Sequence, residues 1–373
     1  MKFRVERDPL AEAVAWTARS LPARPAVPVL GGVLLEVADS TLTVSGFDYE
    51  VSTQVEVEVH GATAGRSLVS GRLLAEISRA LPPHPVDVAV DGPRVTISCG
   101  SARFTLPVMP VEDYPTLPTM PTTAGVVDSA TFATAVSQVA VAAGRDDTLP
   151  MLTGVRLEIE GEQLRLAATD RYRLAVRELL WKPEQADLAA QVLIPARTLA
   201  ESAKTLTTGS EITLALSAGG AGEGMIGFAG PGRRATTRLL DAEFPKYRSL
   251  FPSEWSATAD IPVPALLEAV KRVALVADRG TPVRLDFTEG TLALAAGGDD
   301  EGRAEEQVEA QFSGEPLTIA FNPTFLLDGL AAVHAGIARM SFTTPSKPSV
   351  ITAVDGDGST DFRYLIMPVR LPG

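Results

Sequence analysis

The sequence predicts an α+β protein built from three repeated domains, each with two helices packed on antiparallel sheets. Three observations carry that expectation. At 373 residues the chain exceeds the usual reach of one hydrophobic core, which points to two or three domains. Its 45% hydrophobic and 21% charged residues supply ample core material and no compositional case for disorder. Above all, one succession of helical and alternating segments recurs at a period of roughly 125 to 130 residues.

Each copy opens on a short strand and an amphipathic helix: FRVERDPLAEAVAWTAR from Phe3, GVVDSATFATAVSQVAVAAG from Gly125 and TADIPVPALLEAVKRVALVA from Thr258. Leu10, Val14 and Ala18 in the first, and Leu266, Val270 and Val273 in the third, return at helical spacing and give each helix one apolar face. Alternating strands follow in GGVLLEVADSTLTVSGFD, TGVRLEIEGEQLRLAATD and TPVRLDFTEGTLALAAGG. The turns ADST, EGEQ and TEGT lie between period-2 runs, so each copy holds a hairpin there. A second helix is expected at 69–81, 194–206 and 321–333, and further strands lead to a closing strand in RFTLPVMPVEDYP, RATTRLLDAEFPKY and RYLIMPVRL. The first two closing strands run into the Pro-rich connectors DYPTLPTMPTTAG and EFPKYRSLFPSEW. These set the expected domains at 1–122, 123–254 and 255–373.

Lys and Arg total 33 against 46 Asp and Glu, a net charge of -13. Most of such a surface repels duplex DNA, so any DNA contact must be local. The start MKFRVERDPLAEAVAW has no apolar stretch suited to a signal peptide, and no run of about 18 uncharged apolar residues spans a membrane; a cytoplasmic place is expected. The single cysteine, Cys99, suits a reducing compartment and reads as a buried thiol in a strand. His60, His84 and His334 have no spacing suited to a metal or a catalytic triad. The Gly-rich stretch 219–232 lacks a P-loop lysine, and the acidic turns at 297–302 and 355–361 lack the ligand positions of a calcium loop. No catalytic group, cofactor or metal is expected. Trp16, Trp181 and Trp255 are expected in packing or at domain joints.

Three α+β repeats, the internal ATDRYRLAV, the connector EFPKYRSLFP and the terminal YLIMPVRL together resemble the bacterial DNA polymerase III β subunit family, the sliding clamps. The resemblance covers essentially the whole chain, and the composition looks like that of an actinobacterial member. It implies a head-to-tail homodimer whose six domains form a closed ring, with helices lining the hole and a continuous sheet outside. It implies a non-catalytic processivity factor that encircles double-stranded DNA without reading its sequence. It also implies a docking hub for the polymerase III catalytic subunit, the clamp loader, other polymerases, and mismatch-repair or ligase proteins. A paralogue acting only as a protein-binding adaptor or decoy is the alternative.

The resemblance assigns residues to two sites. Partners of the family present a short motif with a Gln and bulky apolar residues to a pocket between the second and third domains. Here that maps onto Leu152, Thr169, Arg171, Tyr172, Arg173, Leu174, Pro245, Leu250, Lys347, Ser349, Leu365, Ile366, Met367, Pro368, Val369 and Arg370. A dry apolar pocket with a polar rim suits such a ligand, and a flexible Met adapts to several. Where many members read TDGHRL this chain has Arg171 and Tyr172, and Ser249 stands where some have a second Arg. The helices expected to face DNA lean basic within an acidic protein, with Arg72, Arg79, Arg197, Lys204, Lys271, Arg272 and Arg279. Arg24 matches a family position that contacts DNA, and Arg145 is expected in a loop at the rim.

Overall fold

A computed structural model describes residues 1–207, 209–217, 224–277, 280–298, 302–354 and 361–370, and the chain divides into two compact units. One comprises Met1–Ala130, Lys182–Gln185 and Glu201–Leu239; the other comprises Thr131–Trp181, Ala186–Ala200 and Leu240–Gly373. The secondary structure is α+β and every named strand pairing is antiparallel, as the sequence predicts. The predicted hairpins form: Ala38 pairs with Thr41, Glu160 with Gln163 and Thr288 with Thr291. Their tight loops use positive φ at Asp39 (52°), Gly161 (58°) and Gly290 (75°), and Asp is among the few L-residues that tolerate that region.

In the first unit a five-stranded sheet runs in the spatial order His60–Thr63, Lys2–Val5, Val86–Asp91, Arg94–Cys99, Ala102–Pro107. A nine-stranded sheet runs Lys182–Pro183, Thr122–Asp128, Glu211–Leu216, Met225–Gly230, Arg233–Arg238, Val51–Glu58, Thr41–Phe47, Gly32–Ala38, Gly65–Ser70. Helices α1 (Arg7–Arg19) and α2 (Gly71–Ala80) pack on one another and bury Leu10, Val14, Trp16, Leu74 and Ile77. The Cys99 thiol is buried and donates to the carbonyls of Pro82 and His84.

In the second unit a nine-stranded sheet runs Ala189–Pro195, Gly154–Glu160, Gln163–Thr169, Arg173–Leu180, Phe362–Ile366, Ser349–Ala353, Ile337–Phe342, Ala257–Pro262, Gln311–Ser313. A four-stranded sheet runs Gly302–Glu309, Thr291–Gly298, Val283–Thr288, Leu317–Phe321. Among the described residues the chain's remaining α-helices are α3 (Ser129–Ala140), the single turn α4 (Pro150–Thr153), α5 (Ala196–Thr205), α6 (Val263–Val273) and α7 (Pro323–Ala332), with residues 129–130 of α3 and 201–205 of α5 counted in the first unit and the rest in the second. Asn322 caps α7, its side chain accepting from the backbone N–H of Thr324 and Phe325. Trp181 is buried and donates its indole N–H to the Gly161 carbonyl, whereas Trp255 lies on the surface.

Each nine-stranded sheet therefore joins strands of two repeats through the same kind of seam. In the first seam Arg233–Arg238 pairs with Val51–Glu58 and sets Thr236 opposite Ser52. In the second, Phe362–Ile366 pairs with Arg173–Leu180 and sets Leu365 opposite Leu174. After each closing strand one N–H reaches the strand that precedes the repeat's second helix: Met109 to Leu68, Leu240 to Leu193 and Val369 to Ala320, all at 2.8 Å. Among the described residues two strands of the seam-forming kind stay at sheet edges, Ala102–Pro107 and Gly302–Glu309.

Candidate functional site

The segment Thr169–Leu174 is shaped by its own side chains. Asp170 Oδ1 accepts from the backbone N–H of Tyr172 (3.0 Å) and Arg173 (3.1 Å), while Thr169 Oγ1 accepts from Arg171 N–H (3.2 Å) and donates to the Arg173 carbonyl (2.7 Å). This closed turn holds Arg171 at φ 80°, a conformation that suits glycine far better than arginine. The Gly of the family's TDGHRL stretch thus has a backbone reason. Arg171 and Tyr172 are exposed, and the Tyr172 ring stacks on Phe325 of α7 with centroids 6.1 Å apart.

Arg173 differs from its neighbours: only 7% of it is exposed. Its guanidinium donates to Asp170 (2.9 Å) and Asp328, lies 4.4 Å from the Phe325 ring centroid and nears the Tyr364 hydroxyl at 3.4 Å. Burial opposes its charge, but these partners outweigh burial and raise its pKa further. Burial likewise pushes the Tyr364 hydroxyl up, and that hydroxyl donates to the Phe325 carbonyl at 2.8 Å. Arg173 therefore ties the segment to α7, with its charge already satisfied.

Leu174 and Leu365, opposite one another across the second seam, lie in one apolar cluster with Val176, Val350, Leu193, Phe244 and Tyr247. Phe251 packs against that cluster. The connector supplies Phe244 and Tyr247 as buried anchors and leaves Pro245 exposed and Leu250 50% exposed. The closing strand ends at Ile366, and Met367 next to it, 38% exposed, donates its N–H to the Tyr172 carbonyl at 2.8 Å. Pro368 and Val369 are half-buried and Arg370 is exposed. Lys347 is exposed, whereas Ser349 and Ile366 are buried opposite one another in the sheet. Leu152 is buried in α4, its carbonyl accepting from Gly144 N–H. Sequence reasoning passed over Phe244, Tyr247 and Val350. The repeat itself carries a signal for the first, since Tyr114 of the first connector is buried in an equivalent cluster.

The cations assigned to DNA divide in two. Among the described residues Arg24, Arg72, Arg79, Arg145, Arg197 and Lys204 are exposed and make no ion pair, so their charge is free for a phosphate. Lys271 pairs with Glu268 at 2.8 Å, and Arg272 pairs with Glu306 through its Nε at 3.0 Å. Arg279 lies outside the described residues. Among the described residues no group of three or more His, Cys, Asp or Glu is arranged to hold a metal ion.

Comparison with known proteins gives one answer along the whole chain. The N-terminal, central and C-terminal domains of the DNA polymerase III beta subunit match residues 1–118, 126–246 and 248–370. The Beta sliding clamp of Streptomyces coelicolor is 59% identical over all of both chains, and the Beta sliding clamp homolog GriR of Streptomyces muensis is 48% identical over 99% of each. Among solved structures, the sliding clamp of Pseudomonas aeruginosa bound to griselimycin superposes with a TM-score of 0.91 at 28% identity, covering all of both chains. With three domain matches in order, two seams of one design and full-length relatives, this chain belongs to the bacterial DNA polymerase III β subunit family.

Proposed function

We propose that the protein is a DNA sliding clamp: a head-to-tail homodimer that closes a six-domain ring around duplex DNA, keeps the replicative polymerase on its template, and docks polymerases, clamp loader and repair proteins. It has no catalytic step; it turns loss of the polymerase into a sliding problem. The observation that carries this reading is the pair of unused edges. Each internal seam joins a closing strand to the fourth strand of the preceding repeat, and among the described residues only Ala102–Pro107 and Gly302–Glu309, of these two kinds of strand, remain to make another. They belong to the first and third repeats, so pairing between two copies in both directions closes a ring and leaves no seam edge to aggregate.

Carrying the internal register across sets Arg103 opposite the partner's Glu305 and Thr105 opposite the partner's Arg303. Leu275, 83% exposed just beyond α6, lies beside the Gly302–Glu309 edge and gains cover in such a contact. In this reading the domains are 1–122, 123–254 and 255–373. The free cations face the phosphates loosely enough for sliding. The apolar ground around Leu174, Leu365, Leu250 and Met367 receives the partner motif, with Arg171, Lys347 and Arg370 at its rim. The protein works in the cytoplasm, at the nucleoid during replication.

The test has two arms. In solution the mass should be twice the 39.3 kDa of the chain; Arg103→Glu should yield monomer, and Arg103→Glu with Glu305→Arg should restore the dimer. After loading, the protein should stay on nicked circular DNA and leave once the circle is cut. Escape that ignores DNA ends would overturn the ring.

A further inference from the structure

The connector that carries Leu250 is held by a closed circuit of charges. Arg248 donates through Nη2 to Glu158 Oε2 (2.6 Å) and Glu160 Oε1 (3.2 Å). The Glu158 side chain, 4% exposed, also accepts from Arg156 (2.9 Å) and Arg165 (3.1 Å). Arg165 then reaches Glu178 at 2.9 Å, and Glu178 accepts from Arg363 of the closing strand at 3.1 Å. The Arg363 guanidinium lies 4.7 Å from the centroid of Phe251. The circuit thus leaves the connector at Arg248 and returns to it at Phe251, with half-exposed Leu250 between the two ends.

The first seam keeps only part of this. Arg234 pairs with Glu56 at 2.6 Å, the counterpart of Arg363 with Glu178. The position of Glu158 is Glu36, which among the described residues pairs with Arg66 alone at 3.6 Å, and its connector offers Leu117, Pro118, Thr119 and Met120 with no basic group. The full circuit therefore occurs where the proposed peptide site is and is missing from the equivalent place.

We infer that Glu158 is a positioning residue for partner binding: by gathering Arg156, Arg165 and Arg248 it fixes the turn Arg248–Leu250, so that Leu250 stands ready as a wall for an apolar peptide side chain. This rests on the proposed peptide site. A wall that must be ordered on binding lowers affinity by the cost of ordering it, and a wall already fixed does not. Three guanidiniums on one buried carboxylate, linked onward to a second, hold the turn from both sides more firmly than a single exposed ion pair could.

The measurement is fluorescence anisotropy on the full-length dimer, with a labelled decapeptide carrying glutamine followed by leucine and phenylalanine. Leu250→Ala and Met367→Ala test the site itself. If both bind the peptide as the parent does, the peptide site is elsewhere and this inference falls with it. If they weaken binding, Glu158→Gln should also weaken it about tenfold, chiefly through faster release, with the dimer intact. Arg248→Ala should match it, and the two together should be no worse than either alone. Arg248→Lys should recover part of the loss, a rescue that general destabilisation does not give. Phe251→Leu opens the other end without touching Glu158 and should cost threefold to fivefold. Binding by Glu158→Gln within twofold of the parent, while Leu250→Ala binds poorly, would overturn the inference.

Discussion

The two seams share a plan and differ in filling. At matched positions the first sets the hydroxyl of Ser52 against that of Thr236, 2.6 Å apart, while the second sets Leu174 against Leu365 inside an apolar cluster. Both keep a cross-strand ion pair, Arg234 with Glu56 and Arg363 with Glu178. Both also keep an aspartate turn: Asp48 Oδ1 accepts from Glu50 and Val51 N–H, as Asp170 does from Tyr172 and Arg173. Tyr49, at φ 77°, is the counterpart of Arg171. The lesson is that the backbone pairing makes the joint, and the residues at two facing positions decide whether it is filled with hydroxyls or with apolar side chains. The groove over the first seam, lined by Ser52, Gln54, Leu117, Met120, Arg234 and Thr236, has a polar floor. An apolar anchor gains little there.

The comparison breaks most severely if the filling is exchanged. Leu174→Ser with Leu365→Thr should cost on the order of 5 kcal/mol in unfolding free energy, from lost burial and cavity, and should abolish peptide binding; urea denaturation and anisotropy read both. Gly329→Ala comes next. A Cβ there would lie 2.4 Å from the fully buried Tyr364 ring, so the ring or α7 must shift to admit it. The expected loss is about 3 kcal/mol, seen as a lower Tm.

Acid should separate the seams as well. Burial pushes the Glu158 carboxyl up, but hydrogen bonds from Arg248, Arg156 and Arg165 outweigh it and hold its pKa below the ordinary carboxylate value. A depressed native pKa adds stability that is present above the unfolded pKa of about 4.3 and is lost as pH falls through the native value. Between pH 6 and pH 3.5 the parent should lose more stability than Glu158→Gln; equal losses would place the acid sensitivity elsewhere.

Removing one arginine from each seam sharpens the contrast further. Arg234→Ala breaks a half-exposed pair and should cost about 0.5 kcal/mol. Arg363→Ala also uncovers Phe251 and should cost about 1.5 kcal/mol. The remaining two effects have the opposite sign. Arg171→Gly relieves a left-handed φ and should raise stability by about 0.5 kcal/mol, net of glycine's chain entropy. Tyr49→Gly should gain less, because it gives up the contact of Tyr49 with Phe47 at 5.6 Å.

Much of the fold was legible because its signals are local. The hairpin at 160–163 is written in alternation and in a glycine that accepts φ 58°, and the helix at 323–332 in an Asn cap and an apolar face. Which strand lies beside which was not legible: alternation tells which side chains face the core, not that Arg233–Arg238 runs on to Val51–Glu58. The candidate site divides along the same line. Leu174 and Leu365 could be named from their segments, but Asp328 meets Arg173 from 155 positions away. Arg156, Glu158 and Arg165 read in sequence as ordinary charges on strands, since nothing local shows that Arg248 will cover them.

The seams also say where the chain resists being cut. The compact units divide the middle repeat, sending strands Thr122–Asp128, Lys182–Pro183, Glu211–Leu216, Met225–Gly230 and Arg233–Arg238 to one sheet and Gly154–Glu160, Gln163–Thr169, Arg173–Leu180 and Ala189–Pro195 to another. A break at 113–121 or 243–255, in either Pro-rich connector, would sever the covalent thread and leave every rung of the adjoining nine-stranded ladder in place. A protease nick at residue 118 or 253 is therefore expected to leave the pieces held together like a zipped seam with its stitching cut. They should come apart only when denaturant opens the ladder.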